Sequence, residues 1–383
     1  MLDGRWAWAE IDLDAIAHNV RALTAWIGDT TRLLAVVKAN AYGHGSVPVA
    51  RTVLDAGAAW LGVNTCDEGV LLRQAGVKAP ILLLGFTPPT QAAAVIANRL
   101  TPTFNTREMA EAINALASAS NPLAVHVKLD SGLSRYGVMP HEVVPFCQRI
   151  AAMPNLRLEG LLSHFASADE TDKTSARRQF AVYMDAVQRL NQAGVSIALR
   201  HMAASGAVLD MPETHLDMVR CGIVGLYPSD EVNRAVSLRP AMSLKGRIAR
   251  LRTLPPGAGV GYGASFVTTR PTVAALIPIG YADGLKRGYS NKGAALVHGQ
   301  RAPVIGRVSM DQMTVDVSGI AGVAEGDEVV LIGQQGGDAI NWEDMATLLG
   351  TINYEVVVGL SPRVPRVYLQ GGRVVSYTTL VKQ

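Results

Sequence analysis

A lysine closes the apolar run 33–38, inside the segment VVKANAYGHG (36–45). An amine held at the end of a buried strand loses hydration, which disfavours its charged form and frees a lone pair to attack a carbonyl. Lys38 is therefore a candidate Schiff-base nucleophile. Taken alone, a lysine there more simply snorkels its ammonium to water. His164, in SHFASAD (163–169), ends another apolar run, and a satisfied core histidine is its ordinary alternative. Metal and disulfide chemistry find no support. Cys66, Cys147 and Cys221 are far apart, odd in number and outside any CxxC spacing, which favours a reducing compartment.

Short, continuously apolar runs at 33–38, 60–64, 81–85, 100–104, 124–130 and 158–164 read as buried parallel strands, with further ones near 197–199 and 218–226. Helical patterns lie between them. Thr65 and Glu68 form a capping box ahead of 69–75, Thr106 caps a segment to about 119, and 172–193 stops at Gly194. Strand-then-helix alternation of this kind points to a (β/α)8 TIM barrel, whose active site lies at the C-terminal ends of its strands. An open doubly wound sheet is the competing architecture, but no GxGxxG follows the first strand. After about Pro240 the texture becomes β-rich, with runs at 242–254, 273–279, 294–297, 303–316 and 327–332, and only 341–349 helical. The expected organisation is a barrel over 1–239 and a mostly β C-terminal domain over 240–383.

Composition narrows the function classes. The 383 residues are 49% hydrophobic and 17% charged, with a net charge of +3 and scattered Lys and Arg. No basic face for nucleic acid, no polybasic anchor and no apolar run long enough to span a membrane is visible. The N-terminal residues lack a basic-then-apolar secretion signal, so the expectation is a cytoplasmic protein acting on a small molecule.

VVKANAYGHG resembles the cofactor-attachment segment of the alanine racemase family, fold-type III enzymes that use pyridoxal 5'-phosphate. The resemblance continues in family order through HVKLDSGLSRYG (126–137), SHFASAD, MVRCGI (218–223) and VGYG (260–263). It runs on through IGYADG (279–284), GRVSMDQ (306–312), TINYE (351–355) and RVPR (363–366), and so spans nearly the whole chain. It implies that Lys38 holds the cofactor as a Schiff base, and that Tyr42, Ser205, Tyr354 and the backbone of Gly222 and Ile223 hold its phosphate. Arg220 would face the pyridine nitrogen. A guanidinium only donates hydrogen bonds, so it leaves that nitrogen without a proton.

Racemisation needs a base on each face of the α-carbon. The resemblance implies Lys38 for one and Tyr262 for the other, with His164 and Arg220 assisting a phenol whose ordinary pKa near ~10 makes it a reluctant base. Arg135 and Met310, the latter through its backbone, would bind the substrate carboxylate beside Asp311. Tyr281, Arg287, Arg307, Ile352 and Asp169 would line the access channel, and Lys128 is a candidate for carbamylation. Tyr262, Met310 and Asp311 would come from the second subunit of a homodimer with composite sites. The product would be D-alanine for peptidoglycan.

The chain departs from the family pattern at Ser131, Leu133, Ser134, Ala204, Cys221 and Ser309, of which Ala204 matters most because a lost amide can orphan a neighbour. A broad-specificity or serine-preferring racemase is the first alternative. A non-catalytic pyridoxal-phosphate carrier is a second, although such proteins are barrel-only. A metal-dependent aldolase would need a ligand cluster in the second half, and none is visible; a decarboxylase usually brings a catalytic cysteine and an acidic partner for the pyridine nitrogen.

Overall fold

The computed structural model describes residues 4–381. Strand β1 (Ala7–Asp12) is followed by eight more: β2 (Arg32–Val36), β3 (Trp60–Val63), β4 (Ile81–Leu83), β5 (Thr103–Phe104), β6 (Leu123–Lys128), β7 (Leu156–Leu162), β8 (Leu199–His201) and β9 (Met218–Gly222). Strands β2 to β9 are parallel to their neighbours, and β2 pairs with β9 over Arg32 to Val36. Single parallel bridges, Leu82 to Thr101 and Ala204 to Arg220, join β4 to the approach of β5 and the exit of β8 to β9. The sheet thereby closes, and the fold is the eight-stranded barrel. Residues 33–37 show why these strands read as unbroken apolar runs, since all five are buried.

Helices cover the barrel between strands. The Thr65 capping box is formed, with the Thr65 hydroxyl accepting from Glu68 N–H and the Glu68 carboxylate accepting from Thr65 N–H. The long helix Thr174–Gln192 ends ahead of Gly194, whose φ of 75° suits a residue without a Cβ. Thr106 does occupy the cap position of Arg107–Leu116, but its side chain makes no capping hydrogen bond.

The contacts divide the chain into two compact units, one made of Ala15–Ala41 and Gly45–Arg239 and the other of the residues up to Asp14, Tyr42–His44 and everything from Pro240. The barrel unit therefore does not begin at residue 1. The reason is β1, which pairs antiparallel with β10 (Met242–Arg247) and parallel with Arg366–Gln370, in the middle of the larger sheet of the second unit. The expected strand 242–254 is two strands in different sheets, because Arg250–Leu254 leaves to pair with Thr272–Ile277. The expected strand 303–316 is likewise interrupted. Gln300–Pro303 and Met313–Asp316 flank a loop that turns at Gly306, φ 78°. A second helix, Asn353–Val358, follows the expected one at Trp342–Leu349, and a hairpin of Arg366–Gln370 with Arg373–Thr378 completes the larger sheet.

Candidate active site

The chain leaves β2 through Val37 and turns left-handed immediately after Lys38. Ala39, Asn40, Ala41 and Tyr42 have φ of 51°, 54°, 52° and 54°. Each such residue with a Cβ costs roughly 1–2 kcal/mol, a strain kept only where the surroundings over-determine it. Here they do. Ala39 N–H donates to Glu68 Oε1 at 2.6 Å, and Asn40 Oδ1 accepts from Ser46 N–H at 2.8 Å. Glu68, legible in the sequence only as a helix cap, thus also anchors the residue next to Lys38.

The Lys38 amine is held below the ordinary lysine range, first by burial and then by the nearby Arg135 and Arg220, with Glu68 opposing. Lys128, at the end of β6, is pushed down to about 7 by burial, Arg135 and Arg220. Its ammonium nitrogen lies 3.7 Å from the centre of the Tyr136 ring. The Tyr136 hydroxyl donates to Leu84 O, and burial pushes its pKa up. His164 is driven down to about 2 by burial and by Arg220, so it is neutral throughout the physiological range.

Arg220, on β9, is the hub. Its Nη1 reaches His201 Nδ1 at 3.2 Å and His201 O at 3.1 Å. Its Nη2 reaches Ser163 O at 2.8 Å, Met202 O at 3.0 Å and His164 Nδ1 at 3.1 Å. These bonds occupy both terminal nitrogens and leave Nε–H to address a ligand. Because guanidinium only donates, His164 Nδ1 must accept, so its proton sits on Nε2. The same logic fixes His201 with its proton on Nε2, which faces His126 Nδ1 at 2.9 Å. His126 then carries its proton on Nε2, 3.5 Å from Glu159. Gly160 makes room for this ring, since a Cβ there would lie 2.6 Å from its atoms.

Lys38, Arg135, His164, Ser205, Arg220, Gly222, Ile223 and Lys128 all belong to the barrel unit. Arg135 is close enough to Lys38, Lys128 and His164 to lower all three. Ser205 Oγ accepts from Gly222 N–H at 3.1 Å. Ala204 keeps its backbone bridge to Arg220, and the Ser131 and Ser163 hydroxyls bond at 2.8 Å, so neither departure disturbs the β9 hub. Cys221 is buried and its thiol is pushed up to about 12, which makes it inert. His201 and His126 were missed in the sequence. The signal for His126 was the alternation Ala124, His126, Lys128 along one face of β6.

Tyr42, Tyr262, Tyr281, Arg287, Arg307, Met310, Asp311, Ile352 and Tyr354 belong to the second unit. The rings of Tyr42 and Tyr354 are 5.4 Å apart. The hairpin of Gly259–Val260 with Phe266–Val267 carries Tyr262 at its turn, and Gly261 packs against the Arg307 backbone. Tyr281 N–H donates to Ser309 O, and Arg363 bonds Asp311 at 2.7 Å. Tyr262 is 70% exposed and Met310 52%, with Tyr281 and Ile352 also exposed.

Two depressed amines beside the Arg135 and Arg220 guanidiniums suit an anionic carbonyl compound, and pyridoxal phosphate meets that description. The depressed Lys38 amine, the free Nε–H of Arg220 and the Ser205–Gly222 pair fit its aldehyde, ring nitrogen and phosphate. Among the described residues no His, Cys, Asp or Glu cluster could hold a metal, and no helix is long and apolar enough to cross a membrane.

The family description "Alanine racemase, N-terminal domain" matches residues 11–228, and "Alanine racemase, C-terminal domain" matches 241–368. A curated alanine racemase of Desulfovibrio desulfuricans is 46% identical over 366 residues, 95% of this chain and 98% of its own length. The solved alanine racemase of Clostridium difficile 630 superposes with a TM-score of 0.94 at 38% identity, covering 99% of each chain. That of Bacillus anthracis, solved with bound L-Ala-P, gives 0.93 at 36% over 99% of each. The chain belongs to the alanine racemase family.

Proposed function

We propose that this protein interconverts L-alanine and D-alanine with pyridoxal phosphate held on Lys38, and so supplies D-alanine for peptidoglycan in the cytoplasm. The observation that carries the reading is Arg220, clamped by five contacts beside a lysine whose amine burial has made nucleophilic. When bound, the cofactor withdraws electrons and acidifies the substrate α-carbon. Arg220 cannot hand a proton to the ring nitrogen, which limits how much carbanion charge is stored and favours prompt reprotonation. Lys38 takes or returns a proton on one face. Tyr262 serves the other, its phenol assisted by the Nε2–H of neutral His164. Arg135, Met310 N–H and Asp311 set the substrate carboxylate, while Tyr281, Arg287, Arg307, Ile352 and Asp169 shape access. A chiral assay of purified protein with L-alanine and added pyridoxal phosphate tests the reading, and no D-alanine would end it. Parallel rates with serine, lysine and arginine separate it from a broad-specificity or serine-preferring racemase.

The exposed Tyr262 and Met310 support a homodimer in which each supplies the partner's site. Mixing inactive Lys38→Ala with inactive Tyr262→Ala protomers is then expected to restore about half the activity of each hybrid's wild-type counterpart, because one site carries both defects and the other neither. Subunit exchange without recovered activity would rule out shared sites.

Lys128 yields a pH prediction. Its folded pKa is about 7 against an ordinary value of 10.5, so its protonation opposes folding. That cost is present in full below about pH 7 and is relieved as pH rises toward the ordinary lysine value. The neutral amine is also the form that captures carbon dioxide, giving a carbamate that would pair with Arg135. With ¹³C-bicarbonate, a carbamate NMR signal is expected to grow in as pH rises through about 7 and to be missing in Lys128→Ala. A signal that survives the substitution would remove Lys128 from this role.

A further inference from the structure

The opposite mouth of the barrel, at the N-terminal ends of the strands, holds a cavity of about 640 Å³, within the size range of small-molecule sites. Arg73, Lys78, Arg99 and Arg157 line it, with Glu159 as the opposing carboxylate. Arg73 frames the rim by donating to the carbonyls of Val77, Ala79, Asn98 and Arg99 at 2.7–3.1 Å. Arg157 is held by Glu159 at 2.9 Å. Lys78 and Arg99 have no ion-pair partner among the described residues, and the Arg99 charge bears on Arg73. Four cations are thus gathered around one carboxylate that Arg157 already engages.

A second observation lies directly behind this cavity. His126 is fully buried, and its Nε2 has no hydrogen-bond partner among the described residues. The tautomer fixed from Arg220 through His201 puts a hydrogen on that nitrogen, so the orphan is a donor. Its nearest carboxylate, Glu159, lines the cavity, as does Trp60, whose ring centre is 5.6 Å from that of His126. Thr103, the register neighbour of His126, also has an orphaned hydroxyl. A buried donor without a close acceptor costs about 1–3 kcal/mol, and the acceptor facing this one, Glu159, stands 3.5 Å away on the cavity wall.

We propose that this mouth is a second ligand site, for a small molecule bearing phosphate-type oxyanions, with Lys78 and Arg99 as its outer contacts and the His126 N–H as the donor behind them. The assignment is independent of the racemase reading, because binding rather than turnover is measured. Inorganic pyrophosphate is titrated calorimetrically into the cofactor-loaded protein at ionic strength fixed with potassium chloride. One saturable site per chain is expected, weakened at least tenfold in Lys78→Gln/Arg99→Asn, with racemisation in pyrophosphate-free buffer unchanged. Asparagine at 99 tolerates the left-handed φ of 47° found there. In ¹⁵N-histidine protein, the His126 Nε2–H resonance is expected to move with the same saturation curve. Equal affinity in the double variant, no saturable binding in the wild type, or an unmoved His126 resonance each overturns the proposal.

Discussion

Lys38→Ala is expected to lose racemisation by ~10⁴ or more, the upper end of what one general base contributes, because covalent attachment is lost with it. The structure makes the identity of this lysine a sharp question, since Lys38 and Lys128 share one cationic pocket and both amines are depressed. Lys38 is singled out by position. It precedes the left-handed turn that Glu68 and Ser46 pin, whereas Lys128 lies over the Tyr136 ring. Borohydride reduction of the wild-type protein with added pyridoxal phosphate should therefore fix pyridoxyl mass on the Lys38 peptide. Mass on the Lys128 peptide would reverse the two roles.

Tyr262→Phe is expected to separate the two faces of the reaction. Net racemisation falls by ~10²–10⁴, the usual worth of a general base, but it cannot become one-directional because symmetry fixes the equilibrium between enantiomers. Exchange of the α-hydrogen with solvent has no such restriction. D-alanine deuterated at the α-carbon should still lose its label through Lys38 and return as D-alanine, while L-alanine exchanges far more slowly. His164→Ala should show a weaker form of the same asymmetry, since it removes only the hydrogen bond that eases the phenol. Equal loss for both enantiomers would make Tyr262 a structural residue.

The barrel was legible because its strands are buried on both faces, so Leu34, Leu61 and Leu82 stand in runs with no polar alternation. Strand β1 was not. Its AWAEID alternates buried and half-buried positions, and its partners Met242–Arg247 and Arg366–Gln370 lie at the other end of the chain. Nothing in Ala39, Asn40, Ala41 and Tyr42 except the asparagine favours positive φ, so the turn after Lys38 had no local signature. The site divided in the same way. Motifs carried Lys38, His164 and Arg220, whereas His201 and His126 meet only where β6, β8 and β9 curve around a common axis.

That axis has a consequence for where protons travel. From Arg220 through His201 and His126 every hydrogen points the same way, so the chain is a row of aligned dipoles and not a conductor. To pass a proton along it, Arg220 would have to surrender one, and even buried its pKa stays at about 10. The alternative is to turn both rings together, in a core where a single added carbon at Gly160 would already collide with His126. The barrel interior therefore insulates the site from its opposite mouth. In the proposed reaction, a proton taken from a substrate would therefore stay at the strand-end rim and not escape along this row.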